Sequence, residues 1–202
     1  MLNSLNHTIR LLCIMCIFCS CISRKTFSTN YYNKNEKTIS TIEASFKNCY
    51  KQTRFSVGFN DYSFNYISLE IKTDSIKYIY EFEIHEARLQ DSLRKYQMPA
   101  ATITDLIMKM RSIKCTWINQ VDYYVNDQKK SLVYISIHPT RFHFPFTSEK
   151  YFVLTYYSQP QYFDSEGNLL ASRRVRKLRK VNGDIFHRIN DKVCYTISES
   201  FR

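Results

Sequence analysis

Two carboxylates and one imidazole are spaced two residues apart, at Glu81, Glu83 and His85. In a β-strand such residues share one face, so the three side chains would project together. A set of this kind could bind a divalent metal or transfer protons in a hydrolytic reaction. The competing interpretation is a solvated strand face, because no second segment supplying further ligands is recognisable. The overlapping run that starts at His85 lacks the second histidine of a zinc-protease motif, since Leu89 occupies that position.

Two further histidines, His138 and His143, lie close together, with Pro139 and Pro145 beside them. Histidines in a loop could bind a metal, but no acidic residue is close in sequence. We therefore interpret them as part of an irregular surface connection. The G-x-S-x-G motif of serine hydrolases is absent. No catalytic residue, metal ligand or cofactor is predicted, and an enzymatic activity is not expected.

The densest charge in the chain is a basic run of six cations in eight residues: Arg173, Arg174, Arg176, Lys177, Arg179 and Lys180. Turn signals at Gly167 and at Asn182-Gly183 flank it and favour a long hairpin arm. A helix is the alternative, since Ala171 and Leu178 would then fall on one apolar stripe. Such a run could bind an anionic lipid surface or an acidic envelope component. The competing interpretation is a solvated edge that discourages aggregation.

Four cysteines in the N-terminal segment follow the spacing C-x-x-C-x-x-C-x-C, at positions 13, 16, 19 and 21. That spacing resembles a metal-cluster motif, but the residues lie in an apolar run without turn residues. Residues 11–19 carry no charge and follow Arg10. Nine apolar residues are too few to span a bilayer, which needs about 20. They are typical of the central part of a secretory signal peptide.

The residues Phe18-Cys19-Ser20-Cys21 resemble the lipobox of bacterial lipoproteins, in which a small residue precedes an invariant cysteine. Phe18 stands where the family commonly has leucine. The resemblance implies that residues 1–20 are removed and that Cys21 receives acyl chains; two or more such chains give stable anchoring. It covers only the first 25 residues. In the lipoprotein family, an aspartate directly after the lipidated cysteine favours retention in the inner membrane. Ile22 stands at that position here, so the resemblance implies the outer membrane of a cell envelope.

Three cysteines remain beyond Cys21, namely Cys49, Cys115 and Cys194. One disulfide among them is possible with three choices of pair, and the sequence does not choose between these. The simplest interpretation is that they are buried free thiols that pack as small hydrophobic side chains.

The composition is that of a folded domain with a basic surface. Of the 202 residues 44% are apolar and 15% aromatic, and the net charge is +11. Three glycines exclude collagen and glycine-rich phosphate loops. Removal of residues 1–20, whose only formal charge is Arg10, leaves +10. A basic surface attracts nucleic acid or anionic lipids; for an exported protein no nucleic-acid partner is expected.

Alternating apolar and polar residues over 64–85, with a turn at 73–75, predict a hairpin with one buried and one wet face. Further strands are predicted at about 116–125, 131–138, 150–157 and 192–198. Helices are predicted over 38–52, around Leu89 and Leu93 up to Pro99, and from about Ile103 to Ile113. Capping-box spacing places Ser40 and Glu43 near the start of the first helix, and Thr102 and Asp105 near the start of the last helix.

Helices and hairpins without a βαβ rhythm predict an α+β fold, a curved antiparallel sheet with two or three helices packed on one face. The predicted organisation is a signal peptide over 1–20, the lipidated cysteine and a polar tether over 21–36, and one domain over 37–202. The expected function is a membrane-anchored envelope lipoprotein with a non-enzymatic binding or structural role. The alternatives are an envelope hydrolase with a site near Glu81, Glu83 and His85, and a secreted soluble protein.

Overall fold

The computed structural model describes residues 24–125, 128–137, 150–174, 176–181 and 183–198. The chain divides into two units after Lys34; the described residues of the first are 24–34, and those of the second begin at Asn35. The second unit is an α+β domain, as the sequence predicted, built from helices and an eight-stranded antiparallel sheet.

Helix α1 spans Arg24–Tyr50 and is longer than the sequence predicted. Residues 24–36, interpreted as part of a polar tether, are helical, so the helix predicted over 38–52 begins much earlier. The capping-box interpretation of Ser40 and Glu43 is wrong, because both lie inside the helix, where Glu43 forms an ion pair with Lys47. Within the first unit, Phe27 and Tyr31 stack one turn apart, with ring centroids separated by 6.5 Å.

Two shorter helices follow the first hairpin, α2 over Ala87–Lys95 and α3 over Ala100–Ser112. Both were predicted, and their buried residues are the predicted apolar stripes, Leu89 with Leu93 and Ile103 with its neighbours. Helix α3 begins directly after Pro99, and no side chain caps its first turn. Asp105, predicted near the start, lies in the helix and pairs with Lys109.

The eight strands of the main sheet are arranged in the order β3-β2-β1-β4-β5-β6-β10-β9, and each neighbouring pair is antiparallel. A separate two-stranded hairpin pairs β7 with β8. The bounds are β1 Arg54–Phe59, β2 Tyr66–Lys72, β3 Lys77–Glu83, β4 Cys115–Val125, β5 Gln128–Ile137, β6 Tyr151–Tyr157, β7 Lys180–Val181, β8 Asp184–Ile185, β9 His187–Arg188 and β10 Val193–Ser198.

The predicted hairpin over 64–85 is confirmed, with Tyr66 opposite Glu83 and Lys72 opposite Lys77. Its turn is one residue longer than predicted, since the Thr73 N–H donates to the Ile76 carbonyl at 2.9 Å. Ile76 therefore lies in the turn and is exposed, although the period-two alternation predicts that it shares the buried face with Phe82. The wet face is confirmed only for β3, because β2 is buried on both faces.

One face of the sheet, here called the helix face, carries Phe55 of β1 and Tyr80 of β3. Phe46 of α1 packs on Phe55 with ring centroids 4.9 Å apart. Tyr96, which follows α2, contacts Tyr80 through a hydroxyl–hydroxyl hydrogen bond of 2.6 Å. Strand register puts Phe55 and Tyr80 on one face, since Phe55 pairs with Ile71 and Tyr80 with Leu69. The part of α1 around Phe46 and the end of α2 therefore cover the same side of the sheet.

The opposite face has its own apolar cluster over β4, β5, β6 and β10. Residues 158–192, here called the cover segment, place Leu169 and Phe186 in it, and neither is more than 1% exposed. Leu169 donates its N–H to the Phe186 carbonyl, which fixes the two side chains together. The remaining members of the cluster come from the strands: Trp117, Leu132, Tyr134, Val153, Tyr157 and Cys194.

Two tight turns hold the cover segment, and the sequence predicted both. Gly167 adopts φ +83° and Gly183 φ +84°, the left-handed region that glycine enters without strain. At the first turn, Asp164 Oδ1 accepts the N–H groups of Glu166 and Asn168 at 3.0 and 2.7 Å. These bonds lower the pKa of Asp164, because they stabilise the charged carboxylate.

Candidate anionic-surface site

The basic run lies in a loop of the cover segment. Leu170 and Leu178 form an antiparallel bridge, and the Ala171 N–H donates to the Lys177 carbonyl at 2.9 Å. We call residues 172–180 the basic loop; residue 175 is outside the described residues. The prediction of a long strand over the run is wrong, and so is the helical alternative: only Lys180 belongs to a strand, β7.

Five cations of the basic loop are exposed to solvent: Arg173, Arg174, Arg176, Lys177 and Lys180. None of the five forms a salt bridge with any residue that the structure describes. Two acidic residues of the cover segment are engaged elsewhere: Asp191 accepts from Arg188 at 2.6 Å, and Asp164 accepts backbone N–H groups of its own turn. The five exposed cations therefore form no ion pair with a carboxylate that the structure describes.

Arg179 differs from the other cations, because its guanidinium turns toward the core. Its Nη1 donates to Gln161 Oε1 at 2.7 Å and its Nη2 donates to the Ala171 carbonyl at 2.9 Å. The guanidinium carbon lies 5.7 Å from the ring centroid of Tyr123 and 5.9 Å from that of Tyr157. Arg179 thus supports the loop through these contacts, and its predicted part in binding an anionic surface stays a prediction.

Tyr123 and Tyr157 are the residues that sequence reasoning missed. Their rings meet edge to face at 5.7 Å and form the surface on which Arg179 lies. Burial raises the pKa of the Tyr157 phenol, so it stays protonated at neutral pH. They lie on β4 and β6, distant in sequence from Arg179. One sequence signal was available. In an extended segment Arg179 shares a face with the apolar Val181, whereas Lys180 points to the other face, and this indicates an inward arginine.

The candidate hydrolytic residues lie at the other end of the sheet. Glu81 and Glu83 are exposed on one face of β3, as their spacing predicted, and His85 is exposed beyond the strand end. Asn60 Nδ2 donates to Glu81 Oε1 at 2.9 Å. Among the described residues, no group of three or more His, Cys, Asp or Glu side chains is close enough together to hold a metal ion.

The three cysteines of the described residues are free and buried, as the simplest interpretation predicted. Burial raises the pKa of the Cys115 and Cys194 thiols to about 12, and it also raises that of Cys49. A thiol at such a pKa is a poor nucleophile at neutral pH, because almost none of it is ionised. These residues pack the core and do not form a reactive site.

Cys21, His138 and His143 lie outside the described residues. Within the described part of the chain, no helix combines the length and the apolar character needed to cross a bilayer.

The chain was compared with protein-family models, with curated proteins and with solved structures, and none of the three comparisons gives a match.

Proposed function

We propose that the chain is an exported lipoprotein of a bacterial cell envelope, cleaved before Cys21 and anchored through acyl chains on that residue. The apolar run 11–19, Ser20 and Cys21 support this, since they have the order of a lipoprotein signal segment. Ile22 in the following position supports the outer membrane as the final location. The cleaved segment would leave helix α1 close to the anchor in sequence.

The proposed role is non-enzymatic binding of an anionic surface of the envelope by the basic loop. One observation carries this proposal: five exposed cations in one loop have no carboxylate partner among the described residues. A cation near a negatively charged membrane surface contributes about 1 kcal/mol of attraction. Several cations together therefore give a useful affinity for a domain already held at the membrane, because anchoring raises the effective concentration.

The anchor is tested by labelling growing bacteria with radioactive palmitate and comparing the Cys21→Ala chain with a matched control, Cys19→Ala. We expect label in the unsubstituted chain and in the control, and none in Cys21→Ala, because only the Cys21 thiol can accept the acyl group. Equal labelling of both variants would refute the lipid attachment. Release of the unsubstituted protein into the soluble fraction would support the alternative of a secreted protein.

The basic loop is tested by reversing Arg174, Arg176 and Lys177 to glutamate. The matched control reverses three exposed cations outside the cover segment, Lys37, Lys51 and Lys114. Loss of three attractions of about 1 kcal/mol predicts roughly a hundredfold weaker binding to inorganic polyphosphate at low salt. The control variant has the same net charge as the basic-loop variant. Equal losses of polyphosphate affinity in the two variants would show that only total charge matters and would overturn the proposed site.

A further inference from the structure

Three apolar side chains form one row across the cover segment. Phe163 is bridged to Leu169, and Leu170 to Leu178, which sets three chain segments side by side. The Leu170 N–H donates to the Tyr162 carbonyl at 2.8 Å, so Tyr162 lies opposite Leu170. Paired residues of antiparallel segments share a face. Tyr162, Leu170 and Leu178 therefore lie on one side of this small sheet.

That side points away from the core. Leu169 and Arg179, which alternate with Leu170 and Leu178, are the residues that enter the cluster or lie on its tyrosines. Tyr162 is 50% exposed and Leu178 is 38% exposed, whereas Leu170 between them is 8% exposed. Two large apolar side chains are thus held on the surface by a buried leucine and by backbone hydrogen bonds.

The exposed row lies within the basic loop and beside it. Lys180 follows Leu178 by two residues and projects to the same side, because the next residue, Val181 at the end of β7, packs on the cluster. Lys177 and Arg176 directly precede Leu178 and are exposed. Apolar and tyrosine side chains bordered by lysine and arginine are the combination that binds at the interface of a bilayer.

We propose that Tyr162 and Leu178 enter the headgroup region of an anionic phospholipid bilayer while the cations of the basic loop bind the lipid phosphates. This inference rests on the proposed function and names its partner as a lipid surface. A soluble polyanion satisfies the cations but offers no apolar phase for Leu178. A bilayer satisfies both, and tyrosine prefers the boundary where its ring is dry and its hydroxyl is wet. The charge pattern and the apolar row therefore favour a bilayer over an acidic protein.

The test uses the full chain reconstituted into vesicles, with Tyr162→Trp as the probe. Tyr62→Trp is the matched control, since Tyr62 is 65% exposed on another part of the domain. The vesicles are phosphatidylcholine alone, or phosphatidylcholine mixed with phosphatidylglycerol brominated on its acyl chains, which quenches nearby tryptophan. The unsubstituted chain supplies the background of Trp117, which is buried. We expect at least about twofold quenching for Y162W in the brominated anionic vesicles and less than a quarter of that for Y62W.

Adding Leu178→Ser to Y162W is expected to reduce the quenching, and adding the Arg174, Arg176 and Lys177 reversal is expected to abolish it. In neutral detergent micelles, Leu178→Ser should leave polyphosphate affinity unchanged within about twofold, because polyphosphate provides only charge. Quenching that is equal for Y162W and Y62W would overturn the inference. If the charge reversal still weakens polyphosphate binding in that case, the proposed function stands and the partner is an acidic molecule. If the reversal changes neither readout, the proposed function fails as well.

Discussion

Arg179 and Arg174 lie in the same basic loop, yet their removal should have opposite consequences. Arg179→Ala removes two hydrogen bonds from a charged donor and two contacts with tyrosine rings. A hydrogen bond contributes about 0.5–1.5 kcal/mol and a cation–π contact about 0.5–1 kcal/mol. Because the side chain is half-buried, the lower ends of both ranges apply and the expected loss is about 2 kcal/mol. Arg174→Ala removes no interaction with a described residue and should change stability by less than about 0.5 kcal/mol.

The assay is urea unfolding followed by the fluorescence of Trp117, the single tryptophan, which packs in the same cluster as Tyr157. A loss of about 2 kcal/mol shifts the urea midpoint by roughly 1 M at the slopes of small proteins. The urea midpoint of Arg179→Lys should lie between those of Arg179→Ala and Arg174→Ala. An ammonium keeps the charge but cannot donate in two directions from one plane. The order of the two variants should be reversed for polyphosphate affinity at low salt: Arg174→Ala should bind polyphosphate more weakly than Arg179→Ala. Equal midpoints for Arg179→Ala and Arg174→Ala would refute the inward role.

Three further outcomes follow from the packing. Gly58→Ala should destabilise the domain by about 1–3 kcal/mol in urea, because its new Cβ would lie 2.8 Å from Trp117 Cδ1; an unchanged midpoint would contradict that contact. Leu169→Ala should cost about 3–5 kcal/mol and Leu178→Ala less than about 1 kcal/mol in thermal or urea unfolding, since only Leu169 is fully buried; similar losses would contradict the assigned orientations. The raised pKa of Cys194, about 12 in the fold, means that the unfolded thiol ionises first above pH 9, so stability falls as pH rises. Between pH 8 and 10 the loss should be about 1.4 kcal/mol larger in the unsubstituted chain than in Cys194→Ala, and parallel pH profiles would contradict the burial.

The sequence was sufficient for the elements whose pattern is local. The hairpin of β2 and β3 was predicted because period-two alternation continues on both sides of a polar turn. Glycine marked the turns at Gly167 and Gly183, since both need a positive φ. The start of α1 was missed because residues 26–33 are rich in Ser, Thr, Asn and Tyr, which have low helix propensity and no regular apolar stripe.

The sequence predicted which cations form the candidate site, but it did not predict the conformation of the basic loop that carries them. Six cations are visible in the sequence, but the inward turn of Arg179 depends on Tyr123 and Tyr157, which come from β4 and β6. The loop conformation depends on Leu169 and Phe186 being buried under a sheet whose register no local pattern specifies. Long-range packing of this kind overrides the turn signals that had favoured a long strand arm.

Among the described residues, strand β3 ends the main sheet, and its outer backbone groups face no further strand of that sheet. An open edge of seven residues is a template on which another chain could assemble. The exposed side chains along it include Ile79 but also Lys77, Glu81 and Glu83. Pairing a second copy along this edge would strip these charges of water. The two glutamates that first suggested catalysis thus add a desolvation cost to any pairing along this edge.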